Sequence, residues 1–222
     1  MNLGIILLCI VILAYVSNWL NWKFLNYKIT HYLYYIGAFV HESSHALLCI
    51  LTGAKVEEFK VFTSQPHVIH GKSRLPIIGG FLISIAPIGG GLLFLYLINH
   101  ILLGNYITLI PFTHSIQDIA GTFLSILSQL HIFDWRTWVF VLLLVNVGAM
   151  LGPSIQDIKN IWFIFILTFF IHIPILETIG IGALYLISLE IGIQIVCIAI
   201  VMITKKVRIL IIGHSAHISV QK

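Results

Sequence analysis

Apolar residues fall in five long runs along this chain, separated by short polar intervals: Leu3–Leu20, Tyr32–Leu51, Ile77–Leu103, Trp138–Leu151 and Ile161–Ile203. A hydrocarbon core about 30 Å thick takes roughly 20 residues of α-helix to cross, so each of the first four runs reads as one crossing. The fifth is too long for one and is interrupted by Pro174, Glu177 and Gly180, so it reads as two. The pattern predicts an all-α polytopic membrane protein of about six transmembrane helices. Two intervals carry patterns of their own. Val56–Gly71 holds two β-prone runs around Thr63-Ser64-Gln65-Pro66, which predicts a small β-hairpin. In Ser115–Phe133, Ile116, Ile119, Phe123, Leu127 and Leu130 recur at helical spacing opposite a Ser/Thr/Gln/Asp face, as in an interfacial helix.

Composition agrees with a membrane class. Apolar residues make up 59% of the 222 and charged residues only 9%, against about a quarter charged in an average soluble domain. A water-soluble surface could not be covered with so few charges. The net charge of +4 does not point to nucleic acid, because the basic residues sit in short loops, where they set membrane orientation. Cys9, Cys49 and Cys197 lie far apart in apolar segments and form no CxxC pair, so no disulfide is expected. The first run lacks a basic n-region and a small-x-small cleavage site, and is expected to be a retained anchor.

With the N-terminus cytoplasmic, six crossings place Lys55, Lys60, Lys72, Arg74, Lys159, Lys205, Lys206, Arg208 and Lys222 inside, and Lys23, Lys28 and Arg136 outside. Nine against three is a clear bias. It puts the loop after the second run and the Pro153–Lys159 loop on the cytoplasmic side, in what is expected to be the cell membrane.

The second run contains His41-Glu42-Ser43-Ser44-His45, an HExxH motif. Residues four apart share a helix face, so His41 and His45 can hold one zinc ion (Zn2+), and the adjacent Glu42 can take a proton from a metal-bound water. An ionisable residue at membrane depth costs about 2.5–3.5 kcal/mol even on insertion scales, a penalty that a metal or water cavity would offset. His45 lies seven residues before Thr52, about 10 Å below the cytoplasmic surface at 1.5 Å per residue. The bland alternative is a polar helix–helix contact.

Zinc in such sites takes a third protein ligand and leaves one position open. Asp157 is the candidate: Gly152-Pro153 breaks the preceding run before it has covered the core, so Asp157 can lie at membrane depth. Ser154-x-x-Asp157 is also a capping-box pattern, and Asp157 could serve only as a helix cap. Glu57, Glu58, His67 and His70 are weaker candidates in the hairpin. His100, His114, His131, His172 and Glu177 fall on the outer side, and His214 and His217 lie in the basic tail.

The motif inside a span, the β-prone loop after it, the small-residue run Gly79–Gly91, and Asn146 followed by Gly152-Pro153-Ser154-Ile155-Gln156-Asp157 resemble the site-2 protease family of intramembrane zinc metalloproteases. The likeness covers about residues 32–160 of what reads as one domain (1–222), with 1–30 as an anchor and loop and 161–222 as two further helices and a tail. It implies His41, His45 and Asp157 as zinc ligands, Glu42 as the catalytic base, Asn146 as a substrate-binding residue, and a membrane protein or peptide as substrate. Ile158 stands where the family has Gly after its Asp, and the Asn-to-Asp spacing is longer than usual. Two other readings use the same motif. A CAAX-type membrane metalloprotease would need Glu177 or Glu190 as a late ligand, and a non-catalytic metal-handling protein would need none of the chemistry.

Overall fold

A computed structural model describes residues 2–24, 34–63, 66–75, 78–106 and 116–219. Tyr32, Lys28, His114 and Lys222 lie outside these, as do the side chains from Lys205 onward. The order is α1 (Leu3–Phe24), α2 (Tyr35–Leu51), β1 (Val56–Lys60), β2 (His67–His70), α3 (Ile78–Leu97, ending in a π-helical turn Ile98–Leu102), α4 (Ile116–Gln129), α5 (Trp135–Gly148), α6 (Ile155–Leu167) and α7 (Pro174–Ser219).

The hairpin forms where the β-prone runs predict it. Phe59 pairs with Val68 and Lys60 with His67, with a register irregularity between Val56 and Glu58. The amphipathic interval forms α4. The long last run does break, but at Thr168–Ile173, and Pro174 opens α7 with Glu177 and Gly180 already helical. Proline suits a first helical turn because the N–H it lacks has no partner there.

Among the described residues, three helices are long and apolar enough to cross a membrane unaided: Leu3–Asn21, Ile78–Leu102 and Pro174–Thr204. They make the chain an integral membrane protein. The expected count of about six is not reproduced, because α5 and α6 lie along a single path. Descending α2 from its start, Gly37 abuts the Asn146 carbonyl, His41 bonds Met150, and His45 faces Asp157. The path starts at Thr137, beside Tyr106 at the end of α3, and finishes at Thr168, whose carbonyl accepts from Gly4 N–H at the start of α1. The break between α5 and α6 therefore sits at motif depth. The Pro153–Lys159 segment, expected as a cytoplasmic loop, lies beside the motif helix, where Asp157 meets His45, with Ser154, Gln156 and Lys159 exposed.

The core runs through α1, α2, α3, α5 and α7, with Ile6, Ile10, Leu144 and Ile187 fully enclosed. α1 and α7 run side by side in the same direction: Ile6 fills the space at Gly180, and Ser17 Oγ donates to Glu190 Oε1 at 3.1 Å. Further along, Gln194 Nε2 reaches Ser17 Oγ and Asn21 Oδ1, each at 3.0 Å, and Tyr34 Oη donates to Asn21 at 2.9 Å. Between apolar helices in a bilayer, such bonds supply association that apolar contact alone does not, at about 0.6–2 kcal/mol each.

Candidate metal centre

The motif helix is held on several sides. A Cβ at Gly90 would stand 1.9 Å from Ser44 Oγ, and one at Gly37 only 2.0 Å from the Asn146 carbonyl oxygen. These glycines let α3 and α5 approach α2 to backbone contact. Ser44 turns its own hydroxyl back onto the Val40 carbonyl. What remains is one face carrying His41, Glu42 and His45.

Each imidazole has one nitrogen anchored by backbone. His41 Nδ1 bonds the Met150 carbonyl at 2.6 Å, and His45 Nδ1 bonds the Ile83 carbonyl at 2.7 Å. A carbonyl only accepts, so each Nδ1 carries the hydrogen and, on a neutral ring, each Nε2 presents a lone pair. Those two Nε2 atoms face each other at 3.2 Å. Asp157 Oδ2 lies 3.6 Å from His45 Nε2, and the three donor groups all fall within 4.8 Å. Two lone pairs and a carboxylate directed at one point repel unless something positive lies between them. Tetrahedral zinc with nitrogen ligands at 2.0–2.1 Å sets them about 3.3–3.4 Å apart. The donor set and its spacing fit the ion that the motif implies.

Asp157 forms the helix cap that its spacing allowed and also faces the histidines. Its Oδ2 accepts from Ser154 N–H at 2.8 Å and from Ser154 Oγ at 2.6 Å, while Asp157 N–H donates to Ser154 Oγ at 3.1 Å. This is a complete capping box, and it starts α6 in the middle of the bundle. The same carboxylate faces the histidines.

Glu42 is half-buried beside them, with Val68 of β2 next to its carboxyl. The hairpin thus lies against the site. Its tip is fixed to α2 by Phe62, which stacks on Phe39 at 6.3 Å and meets Tyr35 edge-on. Glu58, His67 and His70 have partners within the hairpin. Glu58 takes hydrogen bonds from Lys60 and His67, which hold its carboxyl below the ordinary range, and His70 Nδ1 bonds Gly71.

Asn146 is buried on α5, with Nδ2 on the Leu142 carbonyl and Oδ1 without a hydrogen-bond partner among the described residues. Neither late glutamate joins the histidines: Glu177 pairs with His172 at 2.8 Å, and Glu190 lies against Gly148 and Ser17. The ligand set that a CAAX-type site would need is not brought together. Sequence reasoning missed the two carbonyls that orient the imidazoles and the strand that touches Glu42. A backbone acceptor has no residue identity to read, although Gly152-Pro153 does mark the chain break beside one of them.

A protein-family model described as Peptidase M50B-like matches residues 5–188. No curated protein and no solved structure matches the chain.

Proposed function

The chain belongs to the Peptidase M50B-like family, the site-2 protease family that its motif resembles, and from this we propose that it is a zinc-dependent intramembrane endopeptidase. Its reaction is hydrolysis of a peptide bond in or near a transmembrane segment of a membrane protein. The observation that carries this reading is the pair of Nε2 atoms 3.2 Å apart, each deprived of its hydrogen by a backbone carbonyl, with Asp157 beside them.

His41, His45 and Asp157 would hold the ion. Bound zinc lowers the pKa of a coordinated water towards 7 and polarises a carbonyl. Glu42 takes the proton from the attacking water and returns it to the departing amine nitrogen, so that the peptide C–N bond breaks as the amine becomes neutral. A peptide bond within a substrate helix is shielded by its own hydrogen bonds, so the helix must unwind first. The hairpin supports a capture step, since an extended segment can pair with a free strand edge, and β2 lies against Glu42. Asn146 Oδ1 supports a polar contact for the substrate backbone.

The path of α5 and α6 supports five crossings: α1, α2, α3, the broken α5–α6 and α7. Non-helical backbone is tolerated at membrane depth where it lines a cavity, and here it lines the metal centre. On five crossings the basic tail moves to the face opposite the hairpin. The tail then no longer falls on the side of Lys55, Lys72, Arg74 and Lys159, which removes the charge argument for a cytoplasmic site and leaves it to the family resemblance.

Zinc stoichiometry tests the function. The purified protein should carry one ion per chain, and His45→Ala and Asp157→Ala should lose it. Glu42→Gln should keep the ion and lose cleavage of a membrane substrate by the 10²–10⁴-fold that general acid–base catalysis contributes. A wild-type protein without metal, or undiminished turnover by Glu42→Gln, would refute the reading.

A further inference from the structure

α3 runs unbroken from Ile78 to Leu97 with Pro87 in its interior. Proline has no N–H, so the carbonyl four residues earlier loses its helical donor, and the ring pushes that turn outward. Four residues before Pro87 is Ile83. The Ile83 carbonyl is the one that accepts from His45 Nδ1 at 2.7 Å.

The second histidine shows the same arrangement by other means. The donor that an unbroken helix would bring to the Met150 carbonyl is Ser154 N–H. That N–H is turned instead to Asp157 Oδ2 at 2.8 Å, and Met150 receives His41 Nδ1 at 2.6 Å. Each imidazole is thus oriented by a carbonyl that a defect in a neighbouring helix has released. One defect is a break between two helices. The other is a single residue, at a position where a helix otherwise tolerates proline poorly.

We propose that Pro87 is a positioning residue for His45: by withholding the helical donor from the Ile83 carbonyl, it reserves that carbonyl for His45 Nδ1 and so directs the Nε2 lone pair at the metal position. The inference rests on the zinc-site reading for its purpose but not for its geometry. With alanine at position 87, a backbone N–H returns to the Ile83 carbonyl, the turn straightens, and His45 loses its anchor. Partners of metal-bound histidines of this kind are worth ten- to a hundredfold in metal affinity.

The test compares the wild-type full chain with Pro87→Ala, by ¹⁵N NMR of the histidine side chains in metal-free protein and by zinc affinity in chelator competition. Pro87→Ala should fold, since it removes a helix-breaking residue, and its unfolding temperature should hold or rise. Its zinc affinity should fall ten- to a hundredfold, and His45 should lose its preference for the Nδ1–H tautomer. Wild-type His45 protonated on Nε2, or a Pro87→Ala protein with unchanged tautomer and affinity, overturns the proposal. The two readings fail separately. A wild-type protein that binds no zinc but keeps His45 in the Nδ1–H form, lost in Pro87→Ala, sinks the peptidase reading and leaves the role of Pro87 standing.

Discussion

At the scale of residues, the site depends on close approach as much as on its donors. Gly37 is the sharpest case, because a methyl group there would collide with the backbone of α5 rather than with a flexible side chain. Gly37→Ala should therefore force α5 away from the helix that it serves with the Met150 carbonyl. The expected cost is about 1–3 kcal/mol, the range for overpacking, with weaker zinc binding. Gly80→Ala is the control: nothing lies within 4 Å of its added Cβ, and the helix gains up to about 1 kcal/mol in propensity. Thermal unfolding in detergent of the two variants side by side distinguishes them, and equal midpoints would show that Gly37 is not a packing constraint. His41, Glu42 and His45 were legible in the sequence because a helix converts their spacing directly into a shared face. The reach of Asp157 was legible from the length of the preceding run. The function of Gly37 was not, since its meaning depends on a helix more than a hundred residues away.

At the scale of elements, the informative feature is a helix that stops and restarts inside the bundle. The Ser154–Asp157 capping box lets α6 begin there, because it satisfies backbone donors at the helix start. Ser154→Ala removes one of the two Ser154 bonds to the carboxylate and the hydroxyl that caps Asp157 N–H. Loss of an N-cap costs about 1 kcal/mol, and here the expected signature is a lower unfolding temperature together with weaker zinc binding. Measured separately, a stability change without an affinity change would mean that the cap and the ligand act independently. The hairpin and α4 were readable because periodicity distinguishes strand from helix within one face. The union of α5 and α6 into one traverse was not, because apolar content reports that a segment is buried in lipid but not which way it runs.

At the scale of the whole molecule, the path of the chain decides where its ends lie. α1 starts, and α6 finishes, at the hairpin end. α7 starts there too and leaves from the other, where Gln194 meets Asn21 and Tyr34. Five crossings put the two termini on opposite faces, and six would put them on the same face. Reporter fusions or accessible single cysteines at each terminus of the full chain decide between these, and two termini on one face would contradict the traverse described above. The charge count rests on giving α5 and α6 a turn at the surface; on a single traverse the four basic residues of the tail would fall on the other face.

The tethering of all three donor groups has a further effect. Two rings are fastened by main-chain oxygens and the carboxylate by the start of its own helix, so each donor has little rotamer freedom left to lose. On the zinc reading, an incoming cation would meet donors already aimed at it, and the ordering cost of binding would be correspondingly small.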